Sequence, residues 1–300
     1  MLSEATSPTS MRSPTVEIEV SAPERLWPEL RQIDCLHDIS NATLWSFMDF
    51  DGRPSYNTDL LADFHGWQRN IQALKEDAGD ALKYVVLGSR RKGAFCFGGD
   101  LDYFTECIER KNSHALAAYG RSCIEILHRN WRTCESEVVT IGLVQGDALG
   151  GGFESLLSFD VIVAEKGVKF GFPEQLFGLF PGMGALTFLG RKLGTARAEL
   201  LVRTGKMLTA EELFELGIVH VLAEPGQGVE VTRRYIQKNS ARHAAHFKMY
   251  RAMKRANPIS LEELDDIVWL WVDACMTLDQ HNLAVMRRLV SAQSKMSAAA

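Results

Sequence analysis

No stretch of the 300 residues approaches the roughly 18 consecutive apolar positions that a membrane-spanning helix requires, so no span is expected. The six cysteines (Cys35, Cys96, Cys107, Cys123, Cys134, Cys275) form no Cys-x-x-Cys pair, which removes the usual zinc and redox signatures. They are expected to be reduced, mostly buried thiols. Basic charge is also short. The 33 Lys and Arg stand against 38 Asp and Glu, a net of −5, which excludes a general nucleic-acid binder. No Gly-x-Ser-x-Gly elbow is present, and none of the 8 histidines lies near the longest glycine run, so serine-nucleophile chemistry is poorly supported. His243 and His246 lie three apart on an expected helix, yet no nearby acid or thiol completes a ligand set. They read as surface histidines, and neither a metal nor a cofactor is expected. The opening residues, MLSEATSPTSMRSPT, lack the apolar centre of a secretory signal, and a cytoplasmic location is expected.

What is present is an ordinary globular composition, 46% apolar and 24% charged, on a chain long enough to bury a sizeable core. Residues 1–15, rich in Ser, Thr and Pro, are expected to be a disordered tail. Val16–Val20 alternates like an edge strand, and Ala22-Pro23-Glu24-Arg25 resembles a helix start; residues 21–40 are otherwise poorly determined. Strands are expected over Ala42–Met48, Lys83–Gly88, Val138–Val144 and Val161–Ala164. Helices are expected over Thr58–Asp77, most of Asp100–Trp131, and Phe153–Phe159. Alternating apolar strands and amphipathic helices are the α/β pattern. From Val229 the chain reads as all-helical, with a break at Ala256-Asn257-Pro258 and a final helix to about Ser294. The division is therefore a core over 16–225 and a helical region over 226–300. No internal repeat is visible.

The densest chemistry lies between Val144 and Gly184. Gly150, Gly151 and Gly152 precede an amphipathic segment, as a loop opening a helix would. Backbone N–H groups at such a start lack intrahelical partners, and glycine lets a ligand approach them. Glu154 falls in the first turn. A second acid, Glu174, follows a short β-like run and Pro173. Two carboxylates delivered from separate loops around an oxyanion pocket make an acid/base pair.

Residues 146–184, GDALGGGFESLLSFDVIVAEKGVKFGFPEQLFGLFPGMG, resemble the signature of the crotonase (enoyl-CoA hydratase/isomerase) superfamily. Upstream, Lys92-Gly93-Ala94-Phe95-Cys96-Phe97-Gly98-Gly99-Asp100-Leu101 resembles that family's other oxyanion loop. Downstream, Arg191-Lys192-Leu193-Gly194, Thr204-Gly205-Lys206, Leu208-Thr209-Ala210-Glu211-Glu212 and Gly217-Ile218-Val219 keep its order and spacing. The resemblance implies an α/β fold, a spiral of ββα units with a C-terminal helical region over the acyl site and oligomer interface, commonly assembled as trimers. It implies oxyanion donors at the amides of Gly99 and Gly151, with Gly98, Gly150 and Gly152 as further substrate-binding glycines. It also implies paired acids at Glu154 and Glu174, with Glu174 as the α-proton base and Glu154 as the acid, roles that could be exchanged.

Within the superfamily the chain more closely resembles the diffusible-signal-factor synthases, through Gly146–Glu154, Pro173–Ala185 and the Trp-containing stretch Ile267–Asp273. It departs from ordinary hydratases at Ala185-Leu186-Thr187-Phe188, where Gly-Thr-Gln-Arg is usual. It departs again at Asp51-Gly52-Arg53-Pro54-Ser55-Tyr56-Asn57, in place of an Asn-Arg-Pro pattern. The implied activity is dehydration of a medium-chain 3-hydroxyacyl thioester, acyl carrier protein-bound, to a cis-2-enoyl thioester. Thioesterase release of the free fatty acid, a quorum-sensing signal, would follow. The alternative is an enoyl-CoA hydratase or isomerase of fatty-acid breakdown. The resemblance also raises a sensor-kinase partner. Trp271 and Leu289 are candidates for lining the acyl tunnel. Arg90, Arg91 and Lys92, with the acid-free stretch that includes Arg233 and Arg234, are candidates for docking an acidic carrier protein or for a solvated helix face.

Overall fold

The computed structural model describes residues 26–299, with side chains through Ser294. The strand expected at Val16–Val20, the helix start at Ala22–Arg25 and the tail over 1–15 lie outside the described residues.

The strands, in chain order, are β1 (Ile33–Asp38), β2 (Thr43–Met48), β3 (Tyr84–Ser89), β4 (Ala94–Cys96), β5 (Val139–Val144), β6 (Asp147–Leu149), β7 (Val161–Glu165), β8 (Lys169–Gly171), β9 (Leu208–Thr209) and β10 (Val221–Ala223). The helices are α1 (Thr58–Ala78), α2 (Leu101–Glu109), α3 (Ser113–Trp131), α4 (Gly151–Leu156), α5 (Ala185–Leu193), α6 (Thr195–Thr204), α7 (Ala210–Glu215), α8 (Gly228–Asn239), α9 (His243–Ala256), α10 (Leu261–Met276) and α11 (Gln280–Ala299).

Six strands form one sheet in the order β1-β2-β3-β5-β7-β10, parallel except for the antiparallel β1–β2 pair. A smaller sheet, β4-β6-β8-β9, runs beside it. Each turn of the spiral gives one strand to the large sheet, the next to the small sheet, and then a helical segment: β3-β4-α2, β5-β6-α4, then β7-β8 and a 3-10 turn over Pro173–Phe177. The repetition is one of backbone path, with no matching sequence period.

The central strands are buried on both faces, as a parallel sheet covered by helices requires, which is why they read as continuous apolar runs. Val85, Leu87, Val144 and Ile162 face a core shared with α1, α3 and α10. Tyr84, Val86, Ile141, Leu143, Val161 and Val163 face the opposite way, against Val229 and Ile236 of α8 and Phe247 of α9. Trp67 of α1 is 1% exposed and donates its Nε1–H to Ser46 Oγ at 2.8 Å. Truncating a side chain so placed costs about 3–5 kcal/mol.

The α/β class and the helical C-terminus are as expected, and all six cysteines are free and buried. Three local expectations are corrected. The helix after the glycines spans Gly151–Leu156 rather than Phe153–Phe159, because Gly150 at φ +51° closes the loop one residue before Gly151, and the chain must turn at 157–160 to enter β7. The final helix is two helices, broken at 277–279, where Asp279 and Asn282 exchange side-chain-to-backbone hydrogen bonds and restart the chain. His243 is 8% exposed, not a surface residue; its Nε2 meets Lys83 O at 2.8 Å and its ring lies edge-on to Tyr84.

Candidate active site

Two loops from the small sheet converge. The first leaves β4 as Phe97-Gly98-Gly99. Phe97 N–H donates to Pro54 O at 2.7 Å and Tyr56 N–H to Gly98 O at 2.8 Å. Across a trans peptide plane the carbonyl and the next N–H point in opposite directions. Holding Gly98 O on Tyr56 therefore turns Gly99 N–H the other way, toward the cavity that Gly99 lines. Position 98 sits at φ +92°, and a Cβ there would fall 2.7 Å from Gly151 N, so only glycine fits. Asp100 then caps α2, and Arg53 pairs with Asp100 and Asp102 at 3.1 and 2.6 Å, stiffening the loop's exit.

The second loop leaves β6 at Leu149. Gly150 O accepts from Phe153 N–H at 2.9 Å and Glu154 N–H at 3.0 Å, so the Gly151 amide projects from the open end of α4. A Cβ at position 152 would lie 2.1 Å from Cys96 O, so close apposition of β4 and α4 depends on glycine. Among the described residues, neither the Gly99 nor the Gly151 amide meets an acceptor.

The acids flank these amides. Glu154 is 1% exposed, and its Oε1 accepts the Met183 and Ala185 N–H groups at 2.8 and 3.0 Å. Glu174 lies in the 3-10 turn after Pro173, with its Oε1 2.5 Å from where a Gly150 Cβ would stand; its Oε2 is buried without a hydrogen bond among the described residues. Burial pushes the Glu154 carboxyl up to about 7 against the opposing pull of those two amides. Burial, and then the Glu154 charge, pushes Glu174 up to about 8. The amides stabilise ionised Glu154, whereas Glu174 Oε2 has no such partner. The pair's shared proton therefore resides preferentially on Glu174.

Both acids and both amides line one cavity of about 190 Å³. One wall is aromatic: Phe104 stands edge-on to Tyr119 and to Trp271, each with ring centroids 5.0 Å apart, and lies against Gly99, where a Cβ would fall 2.4 Å from its Cζ. Trp271 packs against Gly182, where a Cβ would fall 2.4 Å from its Cγ. Leu289, from α11, lines the same space. The arrangement sets two acids and two glycine amides beside an apolar pocket.

Of the residues singled out in the sequence, Gly99, Gly151, Glu154, Glu174, Trp271 and Leu289 share this cavity. Gly98, Gly150 and Gly152 stand behind its wall, where they allow the loops to touch. The basic candidates are elsewhere. Arg90 pairs with Asp34 and lies over the Phe47 ring, Arg91 donates to Phe50 O and Gly52 O, and Lys92 is exposed. Arg233 and Arg234 are both paired with Glu230 on α8, across the large sheet from the cavity. Sequence reasoning missed the Met183 and Ala185 amides, the Phe104–Tyr119 wall and Tyr56; of these only Tyr56 carried a signal, as part of an unusual strand–turn.

A family model described as enoyl-CoA hydratase/isomerase matches residues 67–267. A probable enoyl-CoA hydratase of Rhizobium meliloti is 41% identical over 187 residues, 59% of this chain and 72% of that protein. The Vibrio cholerae fatty acid oxidation complex subunit alpha is 27% identical over 203 residues, 67% of this chain, which spans only 28% of that relative's length. Among solved structures, the human mitochondrial delta3-delta2-enoyl-CoA isomerase superposes with a TM-score of 0.72 at 17% identity, covering 88% of this chain and 99% of that one. Pseudomonas aeruginosa DspI superposes with a TM-score of 0.64 at 20% identity, covering 78% and 90%.

Proposed function

The chain belongs to the enoyl-CoA hydratase/isomerase family, and from that premise we propose that it dehydrates medium-chain 3-hydroxyacyl thioesters carried on an acyl carrier protein, and then hydrolyses the cis-2-enoyl product to a free fatty acid that serves as a diffusible signal. One observation carries the reading: two carboxyl groups with proton affinity raised by burial flank two amides that meet no acceptor among the described residues, in one cavity with an aromatic wall.

The chemistry follows from that geometry. The thioester oxygen accepts from the Gly99 and Gly151 amides, and removal of the C2 proton moves charge onto it. Losing one such donor typically costs about 2.7–4 kcal/mol. Glu174 takes the C2 proton while Glu154 gives a proton to the 3-hydroxyl, which leaves as water. The C2=C3 bond forms as the C3–O bond breaks. Dehydration leaves Glu174 protonated and Glu154 ionised, the arrangement the pair prefers. Ionised Glu154 then draws a proton from a water that adds to C1. The C1–S bond breaks, and that proton passes to the departing thiolate. Read backwards, the first step is hydration, with Glu154 activating water and Glu174 supplying the C2 proton.

The signal-synthase assignment rests on the motif resemblance over 146–154 and 173–185. The 41%-identical relative named as a probable enoyl-CoA hydratase favours a second reading, hydration of CoA esters. Mass spectrometry of the products from a 3-hydroxyacyl carrier protein and from the matching CoA ester separates them. Free cis-2-enoic acid from the carrier-bound substrate supports the first. Retained thioester, with the CoA ester preferred, supports the second.

A further inference from the structure

We propose that Tyr56 is a positioning residue that fixes the separation of the two oxyanion loops, bridging them through Ser155. The inference deepens the thioester reading above and rests on it.

Tyr56 is 3% exposed and all three of its polar groups are engaged. Its N–H donates to Gly98 O at 2.8 Å, orienting the Gly99 amide. Its C=O accepts the Tyr119 hydroxyl, which in turn accepts Asp100 N–H at 3.3 Å, one residue past Gly99. Its own hydroxyl donates to Ser155 Oγ at 2.7 Å, and Ser155 donates onward to Gly152 O at 2.9 Å, in the first turn of α4. One residue therefore holds the Gly99 loop by its backbone and the Gly151 helix start by its side chain. It is absent from the cavity lining. The Phe64 ring stands edge-on to it at 5.9 Å, so the ring itself is anchored. Burial pushes the Tyr56 hydroxyl well up, so it remains a protonated donor at neutral pH.

A hydrogen bond weakens steeply once its angle falls below about 120°. Two donors aimed at one oxygen therefore need a fixed relative placement. Removing an oxyanion donor outright costs about 10²–10³ in kcat; displacing one should cost less, about 10-fold.

The test uses the full chain with Tyr56→Phe, Ser155→Ala and the double variant. It reads kcat, KM, melting temperature, and the infrared carbonyl frequency of a bound 2-enoyl thioester. Tyr56→Phe keeps the backbone bond to Gly98 and cuts only the bridge. The expected result is a kcat about 10-fold lower with KM within about 2-fold, and a carbonyl band shifted back toward that of the free thioester. The double variant should be no worse than either single one. A lowered melting temperature with kcat and carbonyl band unchanged would reduce Tyr56 to packing and overturn the proposal. If Tyr56→Phe fails to fold, Ser155→Ala breaks the same bridge by deleting one oxygen and is judged by the same readouts. A wild-type protein that turns over no thioester and shifts no carbonyl band overturns the underlying reading, and this inference with it.

Discussion

Two of the regions that hold buried acids set them in opposite company. Asp160, 5% exposed, lies on the α9 side, where it accepts from Thr140 N–H and Oγ1–H at 3.0 and 3.1 Å and pairs with Lys254 at 2.5 Å. Glu154 and Glu174 have amides, apolar walls and each other; among the described residues no cation pairs with either. A carboxyl group that accepts from two donors and pairs with a lysine is tied into the fold, and its removal is a stability matter. A carboxyl buried without a cation keeps its proton longer and can give it up to a substrate. On the proposed reading the same residue chemistry serves structure in one region and proton transfer in the other, and the neighbours decide which.

The sharpest way to break that contrast is to neutralise both kinds of acid. Glu154→Gln or Glu174→Gln should lower kcat by about 10²–10⁴-fold while leaving the circular dichroism spectrum unchanged. Asp160→Asn should leave kcat within about 2-fold but lower the urea unfolding free energy by about 2–3 kcal/mol. That is less than the roughly 3–5 of a fully enclosed pair, because Lys254 stays 17% exposed. Equal losses of activity at both sites would erase the distinction.

The second effect is on pH dependence. The Glu174 carboxyl titrates from an ordinary 4.5 when unfolded to about 8 in the native site. Between those values the native state holds a proton that the unfolded chain has lost, so stability falls as pH rises through this window. Glu174→Gln removes that loss. Its melting temperature relative to wild type should therefore rise between pH 5 and pH 8, and a flat difference would show that the carboxyl is ordinary. Activity should follow a bell near neutral pH, because the pair works with one proton between two acids.

Smaller again is the effect at the pocket's aromatic wall. Trp271→Ala should shift preference toward longer acyl chains by about 10-fold, as expected when one large ring leaves an apolar pocket. Lost folding with unchanged preference would make Trp271 core only. Least of all, Arg233→Glu with Arg234→Glu should change KM for carrier-bound substrate by less than about 2-fold, since both side chains are already paired with Glu230 on the same helix, and that helix lies across the large sheet from the cavity. A selective rise for carrier-bound over CoA-bound substrate would return the docking surface to α8.

Much of the site was legible because it is local in sequence. Glu154 follows three glycines, Glu174 follows Pro173, and both loops carry motifs whose glycines have steric reasons visible at positions 98 and 152. The strands β2, β3, β5 and β7 of the large sheet read correctly because burial on both faces leaves an unbroken apolar run, whereas β1 and the short β4, β6, β9 and β10 carry no run of that length. What stayed hidden is long-range or carried by the backbone. The amides of Met183 and Ala185 that hold Glu154 have no side-chain signature, and the bond from Tyr56 to Ser155 spans 99 positions. The burial of His243 was hidden for the same reason, since its partner is the carbonyl of Lys83. The break between α10 and α11 was present as Asp279 and Asn282, a capping pair inside a stretch whose apolar spacing favoured continuity.

The most direct test of proton transfer at this site is exchange at C2 of a saturated acyl thioester in deuterium oxide, followed by mass spectrometry. It needs neither a leaving group nor hydrolysis. Wild type should incorporate deuterium at C2, Glu154→Gln should retain most of that exchange, and Glu174→Gln should lose it. Exchange that proceeds at the wild-type rate in Glu174→Gln would contradict the assignment of Glu174 to the C2 proton, and with it the acid pair as the seat of the chemistry.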